Sequence, residues 1–137
     1  MSSSRYIELH ARSAFSFLRG ACLPEEYVAI CSAYAQEGLG APAMALTDVD
    51  GVYGSARFHT AAKKYNIQAH VGAEVTSVDG SRYTLLVESR EGYQNLCRLL
   101  TRMKLRAARF AAGSQEFNLR TWISRWAEAH NAPVMSP

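Results

Sequence analysis

Cysteine is scarce in this sequence of 137 residues, occurring only at Cys22, Cys31 and Cys97, an odd number with no Cys-x-x-Cys pair. That scarcity excludes a disulfide framework and a structural zinc knot, and points to reduced thiols packed as small apolar groups. Long apolar runs are missing as well: none approaches the roughly 18 residues that cross a bilayer, and Met1 to Arg5 has nothing apolar enough for a secretory signal. A cytoplasmic protein without membrane contact is expected. Nor is one sign of charge in large excess, since 15 Lys and Arg face 12 Asp and Glu for a formal +3. What is present is ordinary core material. With 48% apolar and 20% charged residues, the chain suits one domain over 1–137 and is too apolar for disorder.

Periodicity alternates between strand and helix, which predicts an α/β arrangement with a mostly parallel sheet. Tyr6 to His10 reads as a first strand. Pro24-Glu25-Glu26 opens a helix, because proline suits its first position and carboxylates suit the positive end of its dipole. Tyr27, Ile30, Cys31 and Tyr34 share one face of that helix and are expected to form its core side. Ala43 to Thr47 is a buried strand, and Asp50-Gly51 turns the chain into a helix from about Val52 to Tyr65, closed by Asn66. Ile67 to Val75 is the next strand, in which Gly72 would let a neighbouring backbone or a ligand come close. Asp79-Gly80 signals a hairpin into Arg82 to Glu88. A third helix follows the N-cap Ser89 and buries Tyr93, Leu96, Cys97, Leu100 and Met103 until Gly113-Ser114 stops it. A short helix from Asn118 to about His130 and a strand at Ala132 to Met135 complete the order.

Polar residues gathered at the carboxyl ends of successive strands are where such sheets build sites. Here those ends offer His10 with Arg12, Asp48 with Asp50, and Glu74. Imidazole and carboxylates are donors for divalent metals, although three such residues spread along a chain also arise as ordinary strand ends.

Four ordered stretches carry a resemblance. They are Tyr6-Ile-Glu-Leu-His10-Ala-Arg-Ser13-Ala-Phe-Ser16-Phe-Leu-Arg-Gly20, Ala45-Leu-Thr-Asp48-Val-Asp-Gly51-Val-Tyr-Gly54, His70-Val-Gly72-Ala-Glu74, and Glu91-Gly-Tyr93-Gln-Asn95-Leu-Cys-Arg-Leu-Leu100. Together they resemble the N-terminal PHP (polymerase and histidinol phosphatase) domain of bacterial DNA polymerase III alpha subunits, nearest to the error-prone branch. The resemblance covers roughly residues 5 to 105 and leaves 106–137 weakly matched. It implies a partial or truncated distorted (β/α) barrel, without the domains that polymerise DNA.

The resemblance also implies metal ligands, and this chain has lost several. The first motif, His-x-His, reads His10-Ala11-Arg12; a further histidine falls on Leu18; and Thr-Asp-His reads Thr47-Asp48-Val49. His10 and Glu74 remain at ligand positions, with Asp48 as a neighbour that could be recruited. Each ion needs at least three protein ligands, so no cofactor is expected, with zinc or manganese as the ions to look for if any binds. Arg12, permanently charged, is expected to face Glu74 or Asp48 and to stand where a metal supplied positive charge. His70 shares a strand face with Glu74 and could rescue a ligand, whereas a packed, hydrogen-bonded histidine is the simpler reading. His59, one helical turn before Lys63, could touch a phosphate.

Between Arg98 and Arg125 seven basic residues face the single acid Glu116. Arg98, Arg102 and Arg106 recur every four residues and could track DNA phosphates as a stripe, or sit as a solvated face. Trp122 and Trp126 are expected to cover a core edge. The function implied is structural: a domain bracing a polymerase in damage-tolerant DNA synthesis, with the rest of that polypeptide or replication subunits as partners. A metal-dependent phosphoesterase, a 3′ to 5′ exonuclease or pyrophosphatase using His10, Asp48, His70 and Glu74, is the alternative. Uncovered barrel edges would favour self-association.

Overall fold

The hairpin signal at Asp79-Gly80 is answered in the backbone: Gly80 N–H donates to the Ser77 carbonyl at 3.0 Å, and Ser81 N–H donates to the Asp79 carboxylate at 3.0 Å. The computed structural model describes residues 6–38, 40–77 and 79–110. Its elements are β1 (Tyr6–Ala11), α1 (Pro24–Gln36), β2 (Gly40–Val49), α2 (Ser55–Tyr65), β3 (Gln68–Thr76), β4 (Arg82–Leu86) and α3 (Arg90–Phe110). The expected helix break at Gly113-Ser114, the helix from Asn118, the strand at Ala132 to Met135, and Trp122 and Trp126 lie outside the described residues.

The strands form one sheet in the order β1-β2-β3-β4, parallel from β1 to β3 and antiparallel between β3 and β4. This is the α/β, mostly parallel arrangement that the periodicity predicts, built as part of a barrel. Paired neighbours share a face, so Met44, Leu46 and Asp48 of β2 align with Ala69, Val71 and Ala73 of β3 on one side. Phe58 and Ala62 of α2 and Val28 of α1 pack on that side against Met44 and Leu46. Leu96, Leu99 and Leu100 of α3 pack on it against Ala73 and Val75. The opposite face carries His10, Glu74 and Thr84 and holds no helix among the described residues.

That second face is concave. His10 Nε2 on β1 lies 3.2 Å from Thr84 Oγ1 on β4, yet strands at the two ends of a flat four-stranded sheet stand roughly 14 Å apart. Two short side chains bridge that span only when the sheet curls. At Gly72 the β4 backbone comes close, since a Cβ there would meet the Leu85 carbonyl oxygen at 2.4 Å. Tyr6, Ile7 and Leu9 of β1 are exposed at one edge.

Two helix faces differ from expectation. In α1 the buried residues are Pro24, Val28 and Ser32, while Ile30 and Tyr34 are exposed. The helix packs against both α2 and β2, and of the expected face Tyr27 and Cys31 pack against the core cluster while Ile30 and Tyr34 turn outward. In α3 Tyr93 is exposed and Leu99 is buried in its place. Helix ends follow their local chemistry. Glu26 accepts a hydrogen bond from Leu23 N–H at 2.6 Å to start α1, Ser89 Oγ accepts from Gly92 N–H at 3.1 Å to start α3, and Asn66 closes α2 at φ 54°.

Candidate functional site

Glu74 lies in the buried part of β3 and points to the concave face, with its side chain only 2% exposed. Burying a carboxylate is costly unless opposite charge and donors meet it. Here they come from both ends of the sheet. His10 Nε2 lies 2.6 Å from Glu74 Oε2. Arg12, just beyond β1, donates Nε to the same oxygen at 3.2 Å and also brings Nη2 onto it. Arg82, the first residue of β4, directs Nη1 to Oε1 at 3.5 Å. Burial pushes the Glu74 carboxyl up, but hydrogen bonds and positive charge from Arg12 and His10 outweigh it and hold the group below the ordinary carboxylate range. Glu74 is thus an anion at neutral pH, charge-balanced by the protein.

Asp48 takes the other direction. It pairs in register with Ala73, one residue from Glu74, and alternation along a strand sends the two carboxylates to opposite faces. On the helix side Asp48 Oδ1 accepts from Ser13 N–H, Ser13 Oγ and Ser16 Oγ, each at 2.8 Å, and Oδ2 accepts from Gly54 N–H at 3.2 Å. Ser13 and Ser16 are themselves buried. The carboxylate therefore organises the loop between β1 and α1 and the entrance to α2. Gly20 closes the same loop, since a Cβ there would meet the Ser13 carbonyl oxygen at 2.3 Å. Asp50, at φ 51°, is also committed: its Oδ1 accepts from Thr76 N–H at 2.7 Å.

The structure brings together His10, Arg12 and Glu74 and separates Asp48 from them. His70 is half-buried on β3, and His59 is exposed on α2. Among the described residues no three of His, Cys, Asp and Glu group in a way that could hold a metal ion. Both Glu74 oxygens face guanidinium groups, the His10 Nε2 atom meets Glu74 and Thr84, and Asp48 serves the loop. The donor set does not fit the metal centre that the motif pattern implies. Arg82 and Thr84 are members of the cluster that sequence reading missed. The Asp79-Gly80 turn held the signal: it sets the register in which Thr84 lies opposite Glu74 and Arg82 opposite Thr76.

Away from this cluster, Arg98 and Arg102 are exposed on α3, and Arg106 lies one turn further along the same helix. None of the ion pairs among the described residues involves α3. Lys104, on a flank of the helix, holds Nζ 4.5 Å from the centroid of the exposed Tyr53 ring. The three cysteines are thiols, and no described helix is long and apolar enough to cross a membrane.

Comparison with known proteins places this geometry in context. The family model described as PHP domain matches residues 8–133. The chain is 47% identical over 107 residues to an error-prone DNA polymerase of Dechloromonas aromatica, covering 78% of this chain and 10% of that protein. It is 42% identical over 104 residues to an error-prone DNA polymerase of Pseudomonas aeruginosa, covering 76% of this chain and 10% of that one. The chain thus spans about a tenth of the length of these relatives. Among solved structures, an amidohydrolase from Chromobacterium violaceum aligns with a TM-score of 0.49 at 27% identity, covering 79% of this chain and 39% of that one.

Proposed function

The chain belongs to the PHP domain family, and from that premise we propose that it is the PHP module of an error-prone DNA polymerase, working as a structural brace and not as a hydrolase. Its setting would be cytoplasmic DNA replication and repair, in particular synthesis past damage, with nucleotidyl transfer carried out elsewhere in the polymerase. The observation that carries this reading is the commitment of the donors. Glu74 and His10 are tied to Arg12 and Arg82, and Asp48 is tied to its loop, so the side chains a phosphoesterase would use to hold metal already hold the fold. The partner is the remainder of the polymerase polypeptide or its replication subunits. The exposed Tyr6, Ile7 and Leu9 of β1 offer the surface for them, or for a second copy of the chain. The test is genetic and biochemical. Deleting the coding segment is expected to lower mutation frequency after DNA damage toward the undamaged background, and the purified chain is expected to release no nucleotide from a 3′ end with manganese present. Unchanged mutagenesis, or chelator-sensitive release, would reject the reading.

Arg98 and Arg102 favour a subsidiary role in guiding DNA. They are exposed, basic and unopposed by any described acid on their helix beyond its first turn. Contact with about two phosphates would make DNA retention on a filter fall with a log-log salt slope of about −2, and reversing both charges would abolish that slope. Retention that ignores salt would remove this role.

A further inference from the structure

The cluster around Glu74 joins parts of the sheet that backbone hydrogen bonds do not join. His10 and Arg12 come from β1 and the residue following its end, Glu74 from β3, and Arg82 and Thr84 from β4. β1 and β4 stand at opposite ends of the four-strand order, so among the described residues it is side chains crossing the concave face that connect them. The connections are His10 to Thr84 at 3.2 Å and the common attachment of His10, Arg12 and Arg82 to Glu74.

Charge bookkeeping separates two ways of filling such a face. The Glu74 carboxylate faces two permanent guanidinium charges, so its own charge is met without counting the imidazole. A divalent ion approaching Glu74 would have to displace Arg12 from Oε2 or Arg82 from Oε1 and then sit beside both. Arginine also does here what a round ion does less well. Arg12 presents Nε and Nη2 to one oxygen from a planar fork, fixing direction as well as charge.

We propose that Arg12 and Arg82 form, with Glu74, a guanidinium staple that replaces a metal ion and holds the curled sheet closed from β1 to β4. The staple makes the curl independent of metal. It gives Arg82 a positioning role that neither the sequence motifs nor the family pattern assigns. This inference does not depend on the polymerase reading, because a metal-independent staple would serve a brace or a binding module equally.

The test uses the full chain. Elemental analysis is expected to find zinc and manganese below about 0.1 equivalents, and a chelator is expected to leave the melting temperature unchanged. Close to one equivalent of either metal, or a fall of more than about 3 °C with chelator, would overturn the proposal. Arg82→Gln is expected to lower Tm by about 3 °C in the parent chain and to have no effect in the Glu74→Gln background, because both changes break one contact. Equal losses in the two backgrounds would overturn it. If Glu74→Gln does not fold, Arg12 decides: Arg12→Lys, which keeps the charge, should retain most of the Tm that Arg12→Gln loses. Equal losses in those two variants would reject the charge replacement.

Discussion

Asp48→Ala is expected to be among the most damaging single substitutions in the chain, lowering stability by about 3–5 kcal/mol. The reason is the number of donors it would strand. Ser13 N–H, Ser13 Oγ, Ser16 Oγ and Gly54 N–H all converge on this carboxylate, and Ser13 and Ser16 are buried where water cannot substitute. A buried donor left without an acceptor costs about 1–3 kcal/mol, and neighbours in one network do not add fully. Thermal unfolding followed by circular dichroism should show a fall of about 10–20 °C. Asp48→Asn, which keeps one acceptor oxygen, should lose clearly less. A fall of under about 3 °C for Asp48→Ala would mean that the loop does not rely on Asp48.

Phe58→Ala should cost a similar amount by a different route. Phe58 is fully buried in α2 and packs in the cluster formed by Ala11, Val28, Met44 and Leu46. Truncating it removes apolar contact from β1, β2 and α1 at once and leaves a cavity, at about 3–5 kcal/mol. Phe58→Leu, which refills most of the volume, should cost about 1.5 kcal/mol or less. Urea unfolding midpoints measure both, and a Phe58→Ala midpoint within error of the parent would contradict the packing described. The polar network and the apolar cluster lie on the same helix-bearing side, so the two substitutions together test what supports the concave face from behind.

Much of this architecture was legible from short-range chemistry. Asp79-Gly80 sets the β3–β4 hairpin, Ser89 starts α3, and Pro24 with Glu26 starts α1, because each acts on backbone groups within a few residues. The errors arose where partners are distant. Which face of α1 turns inward depends on α2 and β2 packing against it, and the pattern of Tyr27, Ile30, Cys31 and Tyr34 does not record that. Arg82 escaped notice because the Asp79-Gly80 turn has to be followed through to its register, in which Thr84 lies opposite Glu74, before the arginine is seen beside the carboxylate. Asp48 and Glu74 are both acidic residues near strand ends, and composition cannot separate them. Register does, by placing Asp48 opposite Ala73 and so on the other side of the sheet.

The contact between His10 and Thr84 spans 74 positions of the chain. During synthesis β1 emerges before β4, and its histidine has no partner on the fourth strand until 74 further residues have been translated. Helices on the convex side can dock earlier, since α1 meets β2 close in sequence, while the hollow of the sheet must wait. A nascent chain of this kind remains an open, edge-exposed intermediate for longest at its beginning, so the early strand is the segment most in need of shielding by a chaperone.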